Sequence, residues 1–158
     1  MGKGDFNYLY AKMDELMFEH QVGYLLDDMA EELEKKGYPK IANKTKEIKG
    51  IIQSHLKKAE ILLKNQPYFQ YIYEEYEDWE WFGENTVYHL NELEEEYKSD
   101  PQAFKKIQSL NQFLQAAAKE VEEKRLELEG VWKAVEFYDT TNKGIIEEAI
   151  KDYQKNKK

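Results

Sequence analysis

Apolar side chains return every three or four positions along almost the whole chain, and proline and glycine interrupt the pattern at four places. That period belongs to helices with one buried face, and the interruptions mark their ends. The first stripe runs Phe6, Leu9, Met13, Leu16/Met17, His20, Tyr24, Met29, Leu33. It predicts one helix over residues 6–36, with Asp5 as N-cap, Gly37 as a left-handed stop and Pro39 just beyond it. The second runs Ile41, Thr45, Ile48, Ile52, His55, Ala59, Leu62 in steps of four and three, a coiled-coil-like seam over residues 40–64.

Pro67 is suited to the first turn of a third helix over residues 67–98. Its stripe is Phe69, Ile72, Tyr76, Trp79, Gly83, Val87, Leu90, Leu93/Glu94 and Tyr97. Because the phase survives across Gly83, one helix with a weak point is expected. Ser99-Asp100-Pro101 is a boundary in which Asp100 caps and Pro101 takes the first helical position. A fourth helix then covers residues 101–138 through Phe104, Ile107, Leu110, Leu114, Ala117/Ala118, Val121, Arg125, Leu128, Trp132 and Val135. A short fifth helix is expected over residues 145–153. Short connections favour antiparallel neighbours, so the expectation is a single all-α domain over residues 1–158. Its architecture is an up-down helical bundle of four long helices plus a short C-terminal helix.

Charge sharpens this picture. Residues 67–97 carry ten acids (Glu74, Glu75, Glu77, Asp78, Glu80, Glu84, Glu92, Glu94, Glu95, Glu96) and no lysine or arginine. The whole chain has a net charge of −9, so this segment holds the entire excess. The second helix has seven lysines against Glu47 and Glu60. Antiparallel pairing of the second and third helices would bring these opposite fields together, which favours that choice of neighbour more than it adds stability.

An acidic helix face is ordinarily a solvated face. The functional alternative is a docking surface for a basic protein partner over residues 71–97, built on Tyr71, Tyr73, Glu74, Glu75, Glu77, Asp78, Glu80, Trp81 and Glu84. Aromatic side chains anchor interfaces, and carboxylates speed encounter with a basic partner. The same carboxylates could imitate nucleic-acid phosphates, although they fall in two clusters separated at Gly83. Direct nucleic-acid binding is disfavoured, because there is no arginine cluster or basic stripe with interleaved aromatics. Such a protein is compatible with an inhibitor of viral or mobile-element type. The coiled-coil-like seams leave a homodimer, or a structural scaffold, open.

A second candidate is a polar layer inside the bundle. Counting residues from each turn puts His20, His55 and Glu77 at one level, near Glu122 and Arg125 of the fourth helix. Arg125 is the chain's one arginine and sits on an apolar stripe, so it needs a partner. The bland role of such a layer is to fix helix register. A metal-dependent helical enzyme using His20 and His55, or the carboxylates from Glu74 to Asp78, is the alternative. The spacing Glu-x-x-His of di-iron bundles is absent, since Met17, Ile52 and Thr86 stand three before the histidines.

Other chemistry is thin. No cysteine is present, which excludes disulfides and thiolate catalysis. Ser54 and His55 are adjacent on a helix and point about 100° apart, so they cannot act as nucleophile and base. Asp139 to Ile150 partly follows a calcium loop, but Thr141, Lys143 and Ile150 stand where ligands belong. No catalytic residue and no cofactor is assigned. The absence of a membrane-length apolar run or an apolar leader points to a cytoplasmic protein.

Overall fold

A computed structural model describes residues 6, 8–12, 16–17, 22–64, 90–138 and 143–156. Among these the protein is all-α, with no strand. No helix of the described residues is long and apolar enough to cross a membrane.

The first α-helix, α1, spans Val22–Lys35. Val22, Leu26, Met29, Ala30 and Leu33 form its buried face. The helix expected from Phe6 is therefore not continuous. Leu9–Ala11 form a 3-10 turn, preceded by Tyr8 in the left-handed region and closed at Lys12. That break resets the helical phase, so Tyr24, placed on the stripe when it is counted from Phe6, is 65% exposed. Leu26 takes the inward position instead.

The C-terminus of α1 is a Schellman stop. Gly37 has φ +92°, its N–H bonds the Glu34 carbonyl at 3.0 Å, and the Tyr38 N–H bonds the Leu33 carbonyl at 2.9 Å. Helix α2 follows at once over Pro39–Lys64, its first residue the proline that lacks an N–H to satisfy. Ile41, Ala42, Thr45, Ile48, Ile52, Leu56 and Ala59 are buried. The seam thus steps from Ile52 to Leu56, leaving His55 half-buried at its side and Leu62 exposed. Lys46 reaches Glu34 at 2.6 Å and Lys49 reaches Asp27 at 2.7 Å, an antiparallel register about the Gly37-Tyr38 turn. Two lysines of α2 thus find acids on α1.

Residues 90–96 are helical, with Leu90 and Leu93 buried and Glu92, Glu95 and Glu96 exposed. Tyr97 and Lys98, expected to end the third helix, lie in a turn, and its residues 67–89, including the continuity through Gly83, lie outside the described residues. Helix α3 spans Pro101–Tyr138, and the Asp100 carboxylate accepts the Ala103 N–H at 3.3 Å. The expected cap and first residue are both in place. Along α3 the predicted stripe is buried from Ile107 to Val135, Phe104 alone being only half-buried.

Helix α3 runs antiparallel to α2. As α2 advances from Thr45 to His55, the partner on α3 retreats from Trp132 to Glu120. An up-down-up-down order places the second and fourth long helices parallel, so the expected order does not describe α2 and α3. An apolar period reports that a helix exists and which face it buries. It carries nothing about how often the chain reverses between two helices. At the core of this contact, the fully buried Trp132 donates its indole N–H to Thr45 Oγ1 at 3.1 Å. The Thr45 hydroxyl donates onward to the Ile41 carbonyl at 3.1 Å, so a polar pair is satisfied inside an apolar interface.

The last helix, α4, spans Lys143–Asn156, slightly longer than expected, and folds back on α3. Ile146 and Ile150 enter the core. Two clefts along α4 border the α1–α2 turn: one by Ile146 and Tyr38, the other two turns further on by Tyr153 and Lys40.

Candidate functional site

The most developed polar site among the described residues is on the C-terminal half of α3, and it grips main chain. Arg125 is 2% exposed. Its Nε and Nη2 donate to the two oxygens of Glu122, one turn earlier, at 2.9 and 2.6 Å. Its Nη1 donates to Glu129, one turn later, at 3.3 Å, and to the main-chain carbonyl of Tyr10. The carboxylate of Glu122, bonded at both oxygens, holds the guanidinium's pKa above its ordinary value against the opposing effect of burial; Glu129 adds to the rise.

Three turns on from Arg125, Glu136 is fully buried, and its Oε2 accepts the main-chain N–H of Tyr8 at 3.0 Å. The turn of residues 8–12 is thus tied to α3 by one buried cation and one buried anion. Each bonds a main-chain group, not a side chain. Phe6 and Leu9 are fully buried beneath the turn. Above it, the rings of Tyr8, Tyr10 and Phe137 meet edge-on or tilted, with centroids 5.6–6.5 Å apart, and the Lys133 ammonium lies 5.8 Å from the Tyr10 centroid. Tyr8 has φ 55°, the one non-glycine residue with positive φ among the described residues. That conformation costs an L-residue about 1–2 kcal/mol.

Sequence reasoning singled out Arg125 and missed Glu136, Tyr8 and Tyr10. The available signal for Glu136 was its place one turn after Trp132, on the edge of the apolar stripe. Nothing in the spacing indicated that its partner is a backbone N–H far away in the chain.

Of the expected polar layer, His55 and Arg125 are among the described residues, and they take different partners. His55 Nε2 lies 2.9 Å from Glu120 Oε2, with the His55 ring edge-on to Phe113 and the Lys58 ammonium 5.5 Å from the Phe113 centroid. Arg125 has its own partners on the side facing the N-terminal turn. His55 and Arg125 therefore belong to two separate clusters. His20 and Glu77 lie outside the described residues. So do Tyr71, Tyr73, Glu74, Glu75, Asp78, Glu80, Trp81 and Glu84.

What is described of the acidic segment is its end. Glu94 accepts an N–H from Asn111 at 3.0 Å, while Glu92, Glu95 and Glu96 face outward. Among the described residues, no group of three His, Asp or Glu side chains comes together in a metal-binding arrangement. The calcium-like stretch is helical from Lys143 onward, so its fifth to twelfth positions follow a helix and not a ligand-bearing loop.

No family model matches the chain, and no curated protein or solved structure matches it either.

Proposed function

We propose that this is a non-enzymatic binding or regulatory protein that presents the acidic, aromatic segment of residues 71–97 to a basic protein partner. The carrying observation is one of charge. Ten carboxylates and no lysine or arginine fall within residues 67–97. Three of the seven α2 lysines are paired outside this segment: Lys44 with Glu47, Lys46 with Glu34 and Lys49 with Asp27. At the described end of the segment, the leucines point inward and Glu92, Glu95 and Glu96 point to water. A concentrated negative field next to aromatic side chains suits a lysine- or arginine-rich surface, which it steers over a Debye length of about 8 Å at physiological salt.

The reading requires the acidic face to be on the outside of a helical bundle. It does not depend on the up-down order of four long helices. It includes an inhibitor that covers a basic groove of another protein.

Affinity capture from the native host tests it, with Glu74, Glu75, Glu77 and Asp78 all changed to Lys as the control. A basic protein retained by the wild type and lost by the variant supports the reading. Equal capture by both removes this surface from the account.

A further inference from the structure

We propose that the N-terminal turn of residues 8–12, with the Phe6 side chain before it, is a detachable strap: it opens from α3 as a unit while the helices stay folded, and its release uncovers the Arg125–Phe137 face. This conformational device is independent of the acidic segment and does not rest on the docking reading.

Three features of the turn support local opening. Two of its polar anchors run from side chains of α3 to main-chain atoms of the turn: Glu136 to the Tyr8 N–H and Arg125 to the Tyr10 carbonyl. Such contacts fix position and register without joining the turn to the helical hydrogen-bond ladder. The turn is also short, a 3-10 turn closed by the Lys12 N–H on the Leu9 carbonyl, and it begins at a residue in left-handed conformation. Part of its docking energy is therefore spent on holding Tyr8 in that state. Arg125, finally, keeps its hydrogen bonds to Glu122 and Glu129, both on α3, when the turn leaves. The guanidinium is not stranded without partners by release, as a buried cation with partners only on the strap would be.

Release frees the sites filled by Phe6 and Leu9, both fully buried, and the Phe137 ring now covered by Tyr8 and Tyr10. It converts a covered strip of α3 into an open one with apolar, aromatic and charged groups side by side. Segments that open below the global free energy are where proteins place conformational control.

Native-state hydrogen exchange on the whole chain tests the strap. The reporters are the N–H groups of Tyr8, Leu9, Ala11 and Lys12, compared with those of Val121 and Leu128 in α3. The strap predicts that the turn's amides exchange through an opening nearly independent of low denaturant, faster than the α3 amides. Glu136→Gln, which weakens the charged contact to the Tyr8 N–H, should speed exchange of the turn by roughly ten- to a hundredfold. It should shift the α3 amides far less. Turn amides that share the rate and denaturant dependence of Val121 and Leu128 in the wild type would overturn the proposal. So would equal acceleration of both sets in Glu136→Gln. If that variant does not fold, the wild-type comparison decides alone.

Discussion

The indole N–H of Trp132 and the hydroxyl of Thr45 meet at 3.1 Å, and this one bond joins α3 to α2 at the centre of their apolar contact. Thr45→Val keeps the volume of the side chain but leaves a buried N–H without its acceptor. The expected cost is about 1–3 kcal/mol, read as a lower midpoint in urea with an unchanged slope. Thr45→Ser keeps the acceptor and loses a methyl group, so it should cost less than Thr45→Val. Equal losses for the two would mean that packing and not the hydrogen bond matters there.

Arg125 supports a prediction with a pH signature. Arg125→Ala removes a buried cation and leaves the Glu122 carboxylate without its paired donors, a loss of about 3–5 kcal/mol. The folded-state pKa of Arg125 is raised. A raised cationic pKa contributes stability that is fully present below the unfolded value and is lost only as pH rises through the folded one. Both lie above the working range, so the gap between wild type and variant should stay level from about pH 6 to about pH 9. A gap that closes across that interval would place its origin in another group.

Two glycines of the α1–α2 unit, Gly37 and Gly50, should respond in opposite directions. Gly37 closes α1 at φ +92°, and Gly37→Ala forces a side chain into that conformation at a cost of about 1 kcal/mol. Gly50 is inside α2, exposed, with open space around the position of an added Cβ. Gly50→Ala should stabilise by about 0.5–1 kcal/mol through helix propensity. Thermal melts of the two variants check both signs at once.

How far the sequence carries depends on the range of the interaction. Gly37, Pro39, Asp100 and Pro101 act within a few residues of themselves, and each performs the role its chemistry dictates. Counting from the turns puts a partner of Arg125 across the bundle, at the level of Glu77; the partners described are Glu122 and Glu129 on its own helix, at the three- and four-residue spacing that brings side chains together. Tyr24 and His55 were placed on buried stripes and are not buried. The first inherits its phase from a helix interrupted after Tyr8, and the second loses the seam to Leu56 next to it. The antiparallel order of α2 and α3, and the grip of Glu136 on Tyr8, rest on contacts between distant parts of the chain. Periodicity has no access to these.

The helical start of α4 at Lys143 yields a prediction about metal. If the Asp139–Ile150 stretch bound calcium only to the native state, calcium at a hundred times the dissociation constant would add about 2.7 kcal/mol. The predicted result is no change in the melting temperature between chelator and about 10 mM calcium, well above the roughly millimolar constants of the weakest calcium modules. A rise would mean that Asp139 and its neighbours hold the ion in spite of the helix.

The salt dependence of partner binding tests the central claim most directly. With the captured basic partner, affinity is measured by titration calorimetry between about 50 and 300 mM salt, for the wild type and for the variant with Glu74, Glu75, Glu77 and Asp78 changed to Lys. The account predicts steep weakening of wild-type binding with salt and little or no binding by the variant. Salt-insensitive binding that the variant retains would contradict it.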